Sequence, residues 1–222
     1  RQTLKGVGEY GVDFSGQTAP FGVFGTGADG DLTVTSGQTI YTDNTRSAAS
    51  ATANSAQPNI SLSSGTGFAA GQEVLIIQVQ GTGAGNYEFA NLASVTSNTL
   101  TLTKNLTNTY TVGGNSKAQV MRVMQYHDVT VQSGGVLTAH AWDGSAGGVL
   151  VFRASNGIVV NSGGSINLVG NGFNGGDQEN SGSPPAYAQQ GESPNGPGIR
   201  STSANGGGGG GAGDRWRWVG GG

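Results

Sequence analysis

The stretch that decides the fold is V-T-V-Q-S-G-G-V-L at residues 129–137, because the same pattern returns as I-V-V-N-S-G-G-S-I at residues 158–166. An earlier copy, L-T-V-T-S-G-Q-T-I, occupies residues 32–40. Each copy contains an apolar residue, any residue, valine, a polar residue, Ser-Gly, two variable residues and a final apolar residue. An internal repeat of this kind is typical of stacked architectures, in which each coil pairs its strands with those of the next coil.

The Ser-Gly step at the centre of each copy predicts a tight corner, since glycine supplies the positive φ that such a corner needs. We therefore predict β-helix-like stacked coils over residues 126–170. The corners at residues 133–135 and 162–164 are expected at equivalent positions in successive coils, with a further strand at residues 149–152 between them. Two β-hairpins of a sandwich that share the same turn chemistry are the alternative interpretation.

The chain ahead of the two later copies also favours strands. Residues 46–56 are rich in alanine but also in Ser, Thr and Asn, which disfavour helix interiors, so they are predicted to be extended or irregular. We predict an all-β fold, with a β-sandwich or barrel-like region over residues 25–125 that includes a meander or small barrel at residues 59–125. Apolar and alternating runs separated by turn residues predict strands at residues 32–35, 38–42, 73–80, 87–95, 99–104 and 118–124.

The composition changes after Gly170. Residues 171–222 form a glycine-rich segment that includes six consecutive glycines at residues 206–211. One interpretation is a flexible linker. The other, which we favour, is an ordered extended segment packed as polyglycine II helices, since only glycine lets backbones approach closely. The alternating run at residues 215–219 follows the glycines and would be costly to leave exposed.

Charge and composition exclude several classes of function. The net charge is −3 and the pI about 5.2, which argues against a nucleic-acid partner because such partners need a basic face. No apolar run approaches the ~20 residues of a membrane span. The absence of cysteine excludes a zinc finger, a thiol nucleophile and a disulfide framework. It also fits a bacterial exported protein, although small cytosolic proteins can lack cysteine as well.

Two glycine- and aspartate-rich features precede the first repeat copy. Residues 25–30 fit G-x-G-x-x-G, but the dinucleotide motif needs a helix to follow, and the residues after it predict a strand. Asp29 and Asp31 resemble oxygen ligands for calcium on a loop. The further acids of an EF-hand are missing, so an ordinary turn is the preferred interpretation. We therefore expect no cofactor and no metal.

Catalytic residues are not indicated by the sequence. His127 precedes Asp128 and His140 lies near Asp143, but no nucleophile elbow accompanies either pair. Glu73 and Glu88 are a carboxylate pair of the kind that glycosidases use. Solvent-facing positions on strands are the preferred interpretation for both. We predict that the protein is not an enzyme.

The aromatic residues suggest surfaces for packing or binding. Trp216 and Trp218 share one face of a predicted strand. Together with Trp142, Tyr187 and Phe173 they are candidates for stacking on sugars, although a packing or assembly role is favoured over glycan binding.

Residues 1–24 form an N-terminal extension in which Tyr10, Val12 and Phe14 alternate on one face of a predicted strand. An isolated strand is not stable, so this one must join a sheet edge. We predict that residues 4–16 donate a strand to a neighbouring copy, with pairing inside the same chain as the rival. The predicted assembly interface is Tyr10, Val12, Phe14, Trp216 and Trp218.

Three further segments carry a family resemblance: residues 67–78 and 81–88, residues 147–154, and the glycine-rich tail. They resemble large glycine-rich, adhesin-like proteins secreted or displayed by bacteria, and the tail is similar in style to phage tail-tip adhesins that pack polyglycine helices. The resemblance covers residues 25–222 and implies export and a structural or adhesive role. It supplies no catalytic residues.

Three functions follow from these observations. The first is a self-assembling extracellular fibre or sheath subunit, which makes the protein its own main partner. The second is a surface adhesin that binds glycans, and the third is a polysaccharide-acting β-helix enzyme.

Overall fold

The computed structural model describes residues 24–173 and the backbone of two short strands further along the chain. Within residues 24–173 the regular structure consists of strands, without a helix. This confirms the predicted all-β class. The described residues also contain no helix long and apolar enough to cross a membrane. The strands are β1 (Leu32–Val34), β2 (Thr39–Tyr41), β3 (Arg46–Ala48), β4 (Asn59–Ser61), β5 (Glu73–Gln80), β6 (Tyr87–Thr96), β7 (Thr99–Leu102), β8 (Lys117–Arg122), β9 (Met124–Val131), β10 (Val136–Thr138), β11 (Phe152–Val160), β12 (Ser165–Ile166), β13 (Ala212–Asp214) and β14 (Arg217–Val219).

Several predictions lie outside the described residues. They concern the N-terminal strand with Tyr10, Val12 and Phe14, the glycine-rich residues 174–211, Tyr187 and Trp216. Trp218 falls in β14, whose backbone pairs with β13 in antiparallel fashion.

The three repeat copies stack in register, as the sequence pattern predicts. We name them coil 1 (residues 32–41), coil 2 (residues 129–138) and coil 3 (residues 158–166). The first strands of the coils form a parallel sheet in the order β1-β9-β11, and the second strands form another in the order β2-β10-β12. Leu32 pairs with Val129, and Val129 pairs with Ile158, so equivalent residues of the repeat lie side by side.

Glycine is required at the corner between the two sheets because successive coils touch there. The N–H of Gly37 donates to the carbonyl of Gly134 at 3.0 Å, and the N–H of Gly134 donates to that of Gly163 at 2.8 Å. A Cβ on Gly135 would lie 2.7 Å from the Val34 carbonyl oxygen of coil 1. A Cβ on Gly164 would lie 2.7 Å from the Gln132 carbonyl oxygen of coil 2. A side chain at either glycine would therefore force the coils apart.

Among residues 24–173, coils 1 and 3 form the two ends of the stack, and these ends differ. In coils 2 and 3 a backbone N–H after the first strand donates to the previous coil, as Gln132 does to the Val34 carbonyl at 2.8 Å. In coil 1 the equivalent N–H belongs to Thr35, and the side-chain Oε1 of Gln38 accepts it at 3.0 Å. Gln38 thus caps the coil 1 edge, whereas Ile158, Val159 and Val160 leave large apolar side chains exposed on coil 3.

A barrel-like unit lies between coils 1 and 2 in the chain. Six antiparallel strands pair in the order β3-β8-β5-β6-β7-β4. A bridge between Ala49 and Leu62 links the two edge strands, so the sheet curls back towards itself. Ile60, Ile76 and Leu100 are fully buried in its core. Each side chain of this size contributes roughly 1.5–3 kcal/mol when removed from water.

The structure differs from the sequence interpretation in two places. Residues 149–151, predicted to form a strand with Phe152, lie ahead of β11 in a loop. Val149 and Val151 pack on Leu75 and Val123 on the outer face of the barrel sheet, which explains why this loop has an apolar pattern. Residues 32–41, grouped at first with the region 25–125, pair with the two later repeat copies instead.

Candidate functional site: an aromatic surface beside a polar groove

An exposed aromatic pair lies on the outer face of β6. Tyr87 and Phe89 alternate with inward residues along the strand and are 60% and 42% exposed. Their ring centroids are 6.2 Å apart with planes at 86°, an edge-to-face contact. Across the sheet, Phe89 pairs with Leu75, which the loop valines cover. The loop thus buries the outer face of β5 and leaves the aromatic pair in solvent; we call Tyr87 and Phe89 the aromatic surface.

A polar groove of about 700 Å³ lies where the barrel meets the coils. Asn91, two residues beyond Phe89 on the same face of β6, extends the aromatic surface into its wall. The groove has both charged and amide side chains, as well as backbone from the turn before β5. It is lined by Thr26, Ala28, Asp29, Ala69, Ala70, Gly71, Gln72, Glu73, Asn91, Arg122, Val123, Gln125 and Arg153.

One ion-pair network connects the groove to the aromatic surface. The guanidinium of Arg153 donates to both carboxylate oxygens of Glu73, at 2.6 and 2.7 Å. Gln125 donates its amide to the same carboxylate at 2.7 Å. The hydrogen bond to Glu73 raises the pKa of Arg153, so the guanidinium stays charged. It also lies 4.7 Å from the Phe89 ring centroid, a cation–π distance that fixes the ring against the groove.

The second groove carboxylate also has an arginine partner. Asp29 accepts a hydrogen bond from the Arg122 guanidinium and another from the Gln125 backbone N–H, the latter at 2.7 Å. Both groove carboxylates, Asp29 and Glu73, are thus paired with arginine side chains.

Glu88, the other half of the predicted carboxylate pair, has a structural role. Its oxygens accept hydrogen bonds from the backbone N–H groups of Thr107 and Asn108, at 3.0 and 3.1 Å, and from the Tyr110 hydroxyl at 3.0 Å. Burial and the adjacent Glu88 charge raise the pKa of Tyr110. Glu73 and Glu88, which were expected on solvent faces of strands, are both partly buried, and their carboxylates accept hydrogen bonds from neighbouring segments.

His140 pairs with an aspartate that is distant in the sequence and not with its near neighbour Asp143. His140 donates its backbone N–H and presents Nδ1 to Asp43, each at 2.9 Å, whereas Asp143 caps its own turn through Ser145 and Ala146. Asp43 is completely buried and lies on the coil 1 side of the stack. His140 also stacks on Tyr41 at 4.2 Å, so this pair ties coil 1 to coil 2.

The glycine-rich residues 25–30 lead into β1 and not into a helix, as the sequence indicates. The two aspartates of this loop have separate partners: Asp29 bonds Arg122, and Asp31 bonds His127. They therefore do not form one calcium site together.

The aromatic residues proposed from the sequence occupy different positions. Trp142 is buried and meets Phe173 at a centroid distance of 5.1 Å, which confirms a packing role for this pair. The sequence interpretation missed Tyr87 and Phe89, although their i, i+2 spacing on a predicted strand places both on one face. It gave no sign of Arg153 or Gln125 as site residues.

Comparison with known proteins gives low similarities. Neither a protein-family model nor a curated protein matches the chain. Among solved structures, the tailspike gp49 of Pseudomonas phage LKA1 matches with a TM-score of 0.32 and 15% identity, over 59% of this chain and 24% of the tailspike. The tailspike gp54 of Acinetobacter baumannii bacteriophage AP22, solved with a capsular saccharide, matches with a TM-score of 0.32 and 10% identity, over 60% and 28%. The tailspike gp61 of Pseudomonas phage phi297 matches with a TM-score of 0.31 and 11% identity, over 59% and 23%. The chain thus spans about a quarter of the length of these tailspikes.

Proposed function

We propose that this chain is a glycan-binding module of an extracellular or cell-surface, adhesin-like protein. The observation that carries the proposal is the exposed Tyr87–Phe89 pair, which runs into a polar groove along a single strand face. A sugar ring has an apolar face and a hydroxyl-rich rim, so it needs both kinds of surface next to each other.

The aromatic surface would contact the apolar face of the sugar ring, and the groove would bind its hydroxyl groups. The rings offer a large, rigid apolar area at low conformational cost. Asn91, Gln72 and Gln125 line the groove beside them with amide groups suited to hydroxyls. Because the side chains of Arg153 and Glu73 hold each other in place, the surface is organised before a ligand arrives, which lowers the cost of binding.

Binding without cleavage is part of the proposal. Both groove carboxylates are held by arginines, Asp29 by Arg122 and Glu73 by Arg153. A polysaccharide incubated with the protein should therefore release no reducing ends. Steady release of reducing ends by the wild-type protein, lost in the Glu73→Gln variant, would contradict binding without cleavage. It would favour the polysaccharide-acting enzyme.

The experiment is a glycan array of bacterial and host polysaccharides, followed by calorimetric titration of the strongest binder. Truncating either ring, in Tyr87→Ala or Phe89→Ala, should weaken binding by about 1–2 kcal/mol, roughly 5- to 30-fold. Tyr41→Ala is the matched control, because Tyr41 is also an exposed aromatic residue but lies in β2. Equal losses in all three variants, or none in the two β6 variants, would refute the site.

A second candidate function, a self-assembling fibre subunit, is favoured by the edge of coil 3, where β11 pairs with no further strand among residues 24–173. Ile158, Val159 and Val160 are exposed there, whereas Gln38 closes the corner at the coil 1 edge. The capped corner of coil 1 disfavours direct stacking of one copy on the next. Residues 4–16 of a neighbouring copy are the proposed occupant, adding a strand to β11; such a head-to-tail contact propagates.

Electron microscopy and sedimentation of the full chain test the assembly proposal. Deleting residues 1–16 should abolish filaments and leave a folded monomer, and Val159→Lys should do the same from the acceptor side. Tyr87→Ala is the control, since it leaves the coil 3 edge intact. Filaments that survive both changes would rule out this mode of assembly.

A further inference from the structure

A second cluster of functional groups lies on the surface of the stack, built from residues other than those that line the groove. The side chains of Asp31, His127 and Asp128 converge so that one ligand atom from each lies within 4.8 Å of the others. His127 Nδ1 is 3.0 Å from Asp31 Oδ1 and 3.2 Å from Asp128 Oδ2. We call these three residues the Asp-His-Asp cluster.

The strand register forces the two carboxylates together. Asp31 and Asp128 immediately precede Leu32 and Val129, which pair in the parallel sheet, so they occupy equivalent positions just before coils 1 and 2. Adjacent strands are about 4.8 Å apart, which leaves two negative charges side by side on a rigid ladder. In the described part of the chain, the ion pairs of both aspartates are with His127. A positive charge between the carboxylates would relieve their repulsion.

We propose that the Asp-His-Asp cluster binds a divalent transition-metal ion such as Zn²⁺. Metal–nitrogen and metal–oxygen bonds of about 2.0–2.2 Å place two ligands of one ion roughly 3.0 Å apart at right angles and roughly 3.4 Å apart in a tetrahedron. The His127 Nδ1 separations of 3.0 and 3.2 Å lie in that range. Two of the three ligand-atom separations are thus already close to the spacing that an ion needs.

The donor set indicates which ions fit. An imidazole nitrogen with two carboxylates suits Zn²⁺ and Mn²⁺ better than Mg²⁺, which takes oxygen ligands and retains its waters. His127 and Asp31 are largely exposed, so the remaining coordination positions open to solvent. Asp29 is not a ligand, because Arg122 binds its carboxylate.

The residues that lead into coil 3 supply the positioning residue. Gly157 pairs with Asp128 and continues the row without adding a third carboxylate. The neighbouring Asn156 amide lies 2.9 and 3.0 Å from the two oxygens of Asp128 and holds that carboxylate in place. Outer contacts of this kind tune metal affinity by about 10- to 100-fold. The residues that lead into all three coils therefore contribute to one site.

The test is calorimetric titration of the full chain with ZnCl₂, repeated with MnCl₂ and MgCl₂. We expect one Zn²⁺ site, with affinity reduced at least about tenfold in Asp31→Asn and His127→Ala and about tenfold in Asn156→Ala. Asp143→Asn is the matched control: it makes the same chemical change at an aspartate outside the cluster and should bind as the wild type does. Wild-type protein should also unfold at a higher temperature with Zn²⁺, and Asp31→Asn should not.

Two results would overturn the site. One is the absence of Zn²⁺ binding by the wild-type chain at millimolar concentration. The other is binding that Asp31→Asn and His127→Ala leave unchanged while their circular dichroism matches that of the wild type. The altered side chains are exposed or half-exposed, so the variants should fold and the comparison should be direct.

Discussion

Replacing Gly135 by alanine tests the stacked corner. The new Cβ would lie 2.7 Å from the Val34 carbonyl oxygen and 3.0 Å from that of Thr35, both in coil 1. Ordinary van der Waals contact begins at 3.4 Å, so coil 2 must move by 3.4 minus 2.7, or 0.7 Å. Backbone and not a flexible side chain stands in the way, so the movement must separate the coils.

The cost follows from what that movement breaks. The hydrogen bonds from Gln132 to Val34 and from Val136 to Gln38, at 2.8 and 2.9 Å, join coils 1 and 2 on either side of the corner. A shift of 0.7 Å would bring both to the limit of hydrogen bonding. Two weakened bonds at about 0.5–1.5 kcal/mol each, with overpacking of about 1–3 kcal/mol, predict a loss of about 2–6 kcal/mol in unfolding free energy.

Urea unfolding followed by far-UV circular dichroism and by tryptophan fluorescence measures this loss. Gln38→Ala is the control, because Gln38 is the equivalent residue of coil 1 and already carries a side chain. It removes a single hydrogen bond to Thr35 and should cost about 1 kcal/mol. A Gly135→Ala variant no less stable than Gln38→Ala would refute the contact between the coils.

Two further predictions concern buried and titrating groups. Asp43→Ala should lower the unfolding free energy by about 3–5 kcal/mol in urea unfolding, because it leaves His140 and the side chain of Arg46 without their buried carboxylate; a loss below about 1 kcal/mol would contradict this role. Partial burial raises the pKa of Asp143, but hydrogen bonds from Ser145 and Ala146 outweigh it, so the pKa lies below its usual value. The folded state therefore binds this proton more weakly, and the carboxylate stabilises the fold above about pH 4. The stability advantage of wild type over Asp143→Asn should be present at neutral pH and should disappear as the pH falls through the lowered pKa; an advantage that persists in acid would contradict the assignment.

The stack was predictable because its signal is local. A corner glycine and flanking apolar residues suffice to identify each coil, and equivalent positions in the repeat become neighbours in space. The same pattern identifies residues 32–40 as a coil, although the barrel separates them from the next copy in the chain. The two strands of the longest barrel hairpin, β5 and β6, were likewise visible as apolar or alternating runs.

The candidate site was less predictable because it depends on contacts between distant segments. Arg153 and Glu73 are 80 residues apart, and Arg122 and Asp29 are 93 apart. Nothing local to either member of a pair marks the other as its partner. The exposure of Phe89 likewise depends on how far the loop with Val149 extends over the outer face of the barrel. The sequence does not indicate this, because the apolar loop has the same pattern as a strand.

The most direct test of the central claim is chemical-shift mapping of the ¹⁵N-labelled chain with the saccharide that binds most tightly on the array. We predict that the amide signals that shift belong to residues 87–91 and to the Arg153 and Gln125 neighbourhood, with no matching change at residues 158–160. Shifts confined to the coil 3 edge, or spread evenly over the chain, would contradict the proposal that Tyr87 and Phe89 form a glycan-binding surface.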